Sequence, residues 1–322
     1  MTEIVKRTLF PSKVIKKQSI ESVDDSIIFT LNSAHIMELV AIKDEYSRIN
    51  QITQDVIFKN NNTELLIKNL SQVGSKLSST VFYLLTALIM QFNSSTRDKK
   101  QVLLSVTNYQ ELRGVTSKKK LLEQIRDDLN LLSSFYISYK FIKRNSKKCN
   151  SFYNVRLIQG WGCTNDNITI SFSDEFYEHL KNNTYPMPFH KEIFKLNPKT
   201  SAQTLGFYLF YLYNMNHDKK NANVVSVRSM LEHCPTIPSK DKAYPKLNQK
   251  IVEPFERALE ALQGILRWHY TNAKKEPLTQ EQLNTFNYNI FINSSVYYDF
   301  ITDVPTYQKK KKKITVKNSP PK

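Results

Sequence analysis

One pattern of hydrophobic periodicity occurs twice in this chain, and it restricts the fold more than any single motif does. Residues 76–92 (KLSSTVFYLLTALIMQF) put Val81, Leu84, Leu85, Leu88, Ile89 and Phe92 at the spacing of a helix with one core-facing stripe. A β-rich run follows, VLLSV (102–106), and then a short helix, TNYQELRG, with Thr107 as the expected cap and Gly114 as the stop. After the turn VTS, the stretch KKKLLEQIRDDLNLLSS places Leu121, Leu122, Ile125, Leu129 and Leu132 on one face. FYISYKFI (135–142) and FYNVRLIQGW (152–161), on either side of the turn-prone KRNSKKCNS, complete the copy as a hairpin.

The second copy runs in the same order. TSAQTLGFYLFYLYNM (200–215) is its first helix, VVSV (224–227) its strand and RSMLEHC its short helix. KAYPKLNQKIVEPFERALEALQG is its long third helix, and ILRWHYTNA (265–273) opens a hairpin that FNYNIFINSSVYYDF (286–300) closes. Leu84, Leu88, Ile89, Phe92 and Asn93 match Leu205, Leu209, Phe210, Tyr213 and Asn214 at a constant offset of 121, and Ser105-Val106 match Ser226-Val227 at the same offset. Leu121, Leu122, Ile125, Leu129 and Leu132 match Ile251, Val252, Phe255, Leu259 and Leu262 at an offset of 130, so the second copy carries nine extra residues in its turn. Any two amphipathic helices align; five elements in the same order, twice, are harder to obtain by chance.

Helix, strand, helix, turn, helix and hairpin make a helix-turn-helix with a wing. The expected fold is therefore α+β and helix-rich: two tandem winged-helix domains with small antiparallel β-hairpin wings. The 322 residues suffice for two domains, each with its own core. The expected division is a basic N-terminal arm (1–20), a first domain with an N-terminal extension (21–190), a second domain (191–301) and a disordered lysine-rich tail (302–322).

Charge indicates the partner. There are 46 basic against 29 acidic residues, a net +17, which favours a polyanion. The seven lysines of residues 302–322 against Asp303 supply only +6 of this, leaving +11 to the rest. No apolar run approaches the roughly 18–20 residues of a membrane span, and MTEIVKRTLF lacks a signal peptide's apolar core. The expectation is a cytoplasmic protein that binds nucleic acid and no membrane.

In a helix-turn-helix the start of the last helix enters the major groove, and the wing lies along phosphates. The third helix of the first unit opens with Lys118, Lys119 and Lys120, followed by Gln124 and Arg126. Cations at a helix N-terminus oppose its dipole, so an external anion is the expected compensation; the alternative is a solvated charge run. Lys143, Arg144, Lys147 and Lys148 in the hairpin turn repeat the sign without an acid between them. Together with Lys240 and Lys242 these are the expected phosphate contacts. In the second unit Lys246, Asn248, Gln249 and Lys250 lie at the start of the third helix. Asn and Gln can pair bidentately with adenine and Lys can bond guanine, which is base-reading chemistry, although such residues also occur on any solvated helix. Arg257 is expected to pair with Glu253 at i−4, the alternative being a phosphate contact.

The chemistry motifs of enzymes are missing. GVTSKKK has one glycine and cannot form a phosphate loop. The six histidines never fall as H-x-H, H-x-x-x-H or H-E-x-x-H, which disfavours a metal nuclease nicking through tyrosine. Cys149, Cys163 and Cys234 have no CxxC spacing, so neither a disulfide framework nor a zinc site is expected. Asp24-Asp25 and Asp127-Asp128 are adjacent, point to different sides of a helix, and are expected to be solvated. No catalysis, metal or cofactor is expected.

Several stretches of residues 75–300 resemble the replication initiator (Rep) proteins of iteron-type plasmids: LLSVTNYQELRGVTSKKKLLEQIRDDLNLL, ITISFSDEFYEHLKNN, FHKEIFKLNPKTSAQTLGFYLFYLY and KLNQKIVEPFERALEAL. The resemblance implies binding of direct repeats at an origin, opening of adjacent AT-rich DNA, recruitment of host replication proteins and a homodimer as one state of a bacterial cytoplasmic protein. It also implies that the second unit makes the main base contacts, through Lys246, Asn248, Gln249 and Lys250. Residues 1–75 match nothing in the family. A winged-helix transcriptional regulator is the first alternative, and a replicative nickase or primase the second. Tandem unequal units suit an asymmetric repeat better than a palindrome.

Overall fold

A computed structural model describes residues 27–32, 47–49, 56–59, 63–68, 79–94, 99–134, 136–141, 150–164 and, with short gaps, 166–304. The chain begins with strands β1 (Ile27–Asn32), β2 (Ser47–Ile49), β3 (Val56–Lys59) and β4 (Thr63–Lys68), then α1 (Ser79–Ser94) and β5 (Gln101–Ser105). Next come α2 (Val106–Arg113) and α3 (Lys118–Ser134), the hairpin β6 (Tyr136–Phe141) and β7 (Asn150–Arg156), and the hairpin β8 (Ile158–Thr164) and β9 (Asn167–Phe172). After these, α4 (Asp174–Asn182), β10 (Tyr185–His190) and a 3-10 turn (Lys191–Lys195) lead to the second copy. That copy comprises α5 (Ala202–Asn216), β11 (Val224–Ser226), α6 (Val227–Glu232), α7 (Lys240–Ala243) and a π-helical turn (Asn248–Val252). It ends with α8 (Glu253–Glu260), β12 (Leu266–Thr271), α9 (Tyr288–Asn293) and β13 (Ser295–Phe300).

Both copies close a three-stranded antiparallel sheet in the same way. The orders are β5-β9-β8 and β11-β13-β12, so in each the strand after the first helix pairs with the last strand. Alternation drives this: Val102 and Leu104 of β5, and Ile168, Ile170 and Phe172 of β9, all turn inward. The expected α+β architecture of two winged-helix-like units is present.

The duplication holds at atomic detail where strand becomes helix. Ser105 and Ser226 are equivalent N-caps, their hydroxyls accepting from the N–H groups of Asn108 (3.4 Å) and Ser229 (3.2 Å). Val106 and Val227, each fully buried, donate their N–H groups to Asp166 O (2.8 Å) and Ser294 O (3.1 Å) beside the last strand. The expected cap Thr107 lies inside the helix, which is capped two residues earlier, at Ser105, because Val106 is a core anchor.

Three other expectations are corrected. The hairpin β6–β7 is not the first unit's wing. It forms the end of a five-stranded sheet, β2-β3-β4-β6-β7, completed by strands from the region that the sequence matched to nothing. The run 152–161 is two strands, broken at the buried Leu157, whose carbonyl accepts from Ser173 N (3.2 Å). The wing is β8–β9. Asp128 is not solvated: it is 6% exposed and accepts from Thr80 Oγ1 (3.1 Å), fastening α3 to α1.

The helices α1 and α5 are not single-stripe helices. Val81 to Met90 and Ala202 to Phe210 are buried without interruption, because the antiparallel ribbon β1–β10 covers the sides their own sheets leave bare, β1 against α1 and β10 against α5. The two cores consequently merge. Tyr83 of α1 meets Phe194 of the 3-10 turn (5.7 Å), which meets Phe207 of α5 edge-on (6.2 Å), with Phe189 of β10 packed on both. Arg113, at the end of α2, seals this junction. Its guanidinium lies 3.9 Å over the Tyr83 ring and donates to Phe194 O (3.1 Å) and Tyr109 Oη (3.3 Å).

Candidate nucleic-acid interface

In the first unit, α2 stops at Gly114 in the left-handed region (φ 60°, ψ 28°), a conformation that favours glycine. The Gln110 side-chain amide donates to the carbonyls of Val115 (2.9 Å) and Thr116 (3.1 Å), and Ser117 Oγ accepts from Lys120 N (3.4 Å). The turn between the two helices is therefore held at both ends, and it sets the first residues of α3 in fixed positions. Lys119 and Lys120 are exposed there and Gln124 is half-buried. Lys118 reaches sideways to an ion pair with Asp166 in the β8–β9 turn, linking helix start to wing. Further along, Glu123 and Asp127 flank Arg126 on the exposed face, so positive potential is concentrated at the first turn.

The second unit has the longer turn. Thr236 is tied to the start of α5 by its N–H to Ser201 Oγ (3.2 Å) and by the contact of the two hydroxyls (2.7 Å). Ile237 and Ala243, at 1% and 0% exposure, plug α7 into the core. The last helix then starts with a π-helical turn: Glu253 N–H reaches back five residues to Asn248 O. The cause is Pro254, which has no N–H to bond Lys250 O and so leaves the ladder open at this point. Ile251 and Val252 face the core, whereas Asn248, Gln249 and Lys250 are exposed on the π turn, with Lys246 exposed just before it. Lys240 and Lys242 are exposed on α7, which packs against the π turn. Arg257 pairs with Glu253 (3.8 Å), as expected, and donates to its carbonyl (3.3 Å).

An aromatic buttress supports this helix from behind. Phe255 meets Phe291 of α9 edge-on (5.3 Å), and Tyr270 of β12 packs on Phe286 (4.8 Å) while donating to Glu256 Oε1 (3.1 Å). Burial pushes both the Glu256 carboxyl and the Tyr270 phenol above their ordinary values. Asn287 caps α9 by accepting from Asn289 N (2.9 Å) and Ile290 N (3.2 Å). Two cations of the helix-turn-helix rest on α9: Lys240 lies 5.8 Å over Tyr288, and Arg228 donates to Asn293 Oδ1 (3.4 Å).

Sequence reasoning missed the second wing's tip. Asn272 Oδ1 accepts from Lys274 N (2.8 Å) and Glu276 N (3.1 Å), and Lys275 has φ 68°, so both exposed lysines sit on a rigid Asx turn. The signal was TNAKKEP, an Asn ahead of paired lysines and a proline between two strands. Arg228 was also missed. The expected phosphate contacts Lys143, Arg144, Lys147 and Lys148 lie outside the described residues. His233 and Cys234, adjacent in sequence, belong to the packing: His233 stacks on Tyr208 (3.6 Å) and Cys234 is buried.

Fold and surface together define a class: an α+β chain with two winged-helix-like units in tandem, each presenting cations at a helix-turn-helix. No family model matches the chain, and no curated protein matches it. Among solved structures it is similar to a crystal structure of domains 2 and 3 of RctB, with TM-score 0.42 and 11% identity over 82% of this chain and 98% of that one. A second structure of RctB domains 2-3 gives TM-score 0.42 and 12% identity over 84% and 97%. Among the described residues no cluster of three or more His, Cys, Asp or Glu side chains is placed to hold a metal, and no helix is long and apolar enough to cross a membrane.

Proposed function

We propose that this chain is a replication initiator that binds double-stranded DNA bearing direct repeats, the second unit reading bases and the first gripping phosphate. The observation that carries the reading is the repetition of one device: a turn pinned by hydrogen bonds, followed by a helix whose first residues are exposed Lys, Asn or Gln. Inserted end-on, such a helix brings its amide side chains to base edges and its ammonium groups to phosphate oxygens. Unequal units on one chain suit a repeat without two-fold symmetry. The resemblance to iteron-type initiators adds local opening of AT-rich DNA, recruitment of host replication proteins and a dimeric state in the bacterial cytoplasm. Binding is the activity proposed, with no catalytic step.

Footprinting on the DNA flanking the gene is the test. Protection of several direct repeats, each about two helical turns long, beside an AT-rich stretch is the expected result. Protection of a lone palindrome would make the chain a winged-helix transcriptional regulator. Equal affinity for random duplex would remove the base-reading role, and nicking of a supercoiled plasmid by the pure protein would overturn binding as the sole activity.

A further inference from the structure

Tyr244 stands at the head of the second unit's reading helix and is 74% exposed, the most open of the large hydrophobic side chains among the described residues. It belongs to the insertion that the first unit lacks. That insertion does bury apolar groups where the core accepts them, through Ile237 and Ala243, so an unburied ring directly after such an anchor is not for want of a core. Its backbone is held on both sides: Tyr244 N donates to Lys240 O (3.0 Å), and Lys246 N donates to Ala243 O (2.7 Å). A ring fixed at its base and left in water pays little ordering entropy when it meets a partner. Its neighbours name that partner's charge, for Lys240, Lys242 and Lys246 surround it in sequence and all are exposed, against Asp241 alone.

An aromatic ring set among cations suits a nucleic-acid duplex, whose sugars and thymine methyl groups offer apolar surface between phosphates. We propose that Tyr244 is the apolar DNA contact of the second unit, its ring packing on the strand that flanks the bases read by Lys246, Asn248, Gln249 and Lys250. The contact rests on the DNA-reading function proposed above and adds an affinity-bearing residue outside the reading helix. Because the ring carries no charge, it releases no counterions when it binds.

The test uses the full chain and the duplex it enriches from a randomised pool. Tyr244→Ala is expected to weaken binding by about 5- to 30-fold at every salt concentration, leaving the slope of log affinity against log salt unchanged. Tyr244→Phe should bind within about twofold of the unsubstituted chain, and both variants should melt at its temperature because the side chain is exposed. Lys246→Ala with Gln249→Ala runs alongside. If that pair loses binding while Tyr244→Ala does not, the ring contact is wrong and DNA reading stands. If neither loses binding, the DNA-reading function itself fails. A lowered salt slope for Tyr244→Ala, or equal losses for Ala and Phe, would assign the effect to charge or to the hydroxyl and overturn the ring as the contact.

Discussion

Arg113 is 8% exposed, and its hydrogen bonds go to a carbonyl and a phenol rather than to a carboxylate. The planar guanidinium does two things at once, stacking on Tyr83 and forking to Phe194 O and Tyr109 Oη, which a lysine cannot reproduce. Arg113→Lys is therefore expected to cost about 1.5–3 kcal/mol in urea unfolding, the range for hydrogen bonds made by a charged group. Tyr109 itself gives a pH dependence. Burial pushes its phenol from 10.0 up to about 12 in the folded chain. Unfolded chains release that proton near pH 10, so stability is intact below pH 10 and declines as pH rises toward 12. Thermal melts from pH 9 to 12 should show this loss, and Tyr109→Phe should make it shallower; an identical profile would refute the assignment.

At the scale of elements, the two serine caps and the π turn make opposite demands. Ser105 and Ser226 do the same work in the two units, each satisfying one open N–H at a helix start. Replacing either by Ala is expected to cost about 1 kcal/mol, and similar losses by chemical denaturation would confirm the equivalence. The pair was legible as the Ser-Val match at offset 121; its role was not, since Thr107 is an equally good capping residue by type. The choice fell to Ser105 because Val106 has to enter the core. The π turn is different: Pro254 advertises an interrupted ladder, but the sequence does not reveal whether the helix kinks, ends or widens. Pro254→Ala restores an N–H and lets the helix close as a regular α-helix. Removing one residue of offset rotates Lys246 to Lys250 by about 100° relative to Phe255. The expected outcome is loss of discrimination between selected and random duplex with nonspecific affinity kept, and a lowered melting temperature because Ile251 and Val252 are turned from their core positions. Retained discrimination would show that the π turn does not aim the readers.

For the whole molecule, charge is spread over surfaces with different tasks, and salt separates them. Replacing Lys119 and Lys120 by Ala should lower the salt slope by about 0.9 for each phosphate no longer neutralised, on any DNA sequence. Replacing Gln249 should leave the slope alone and cost affinity only at the selected site. A slope unchanged by the lysine pair would show that the first unit's helix start is merely solvated. Both surfaces are legible in the chain before it folds. Periodicity set the helices, the order of elements set two winged-helix-like units, and charge at two helix starts set the candidate surface, because each follows from residue type at a local spacing. Tertiary structure alone decided the rest. Which hairpin became the wing depended on whether β6–β7 found other strands to pair with, and β4 supplied them. Whether the two units kept separate cores depended on the β1–β10 ribbon and the Tyr83, Phe194 and Phe207 contacts, made between residues distant in the chain. A β-rich segment carries its pattern with it, but its partner is chosen by whatever edge the folded chain brings within hydrogen-bonding reach.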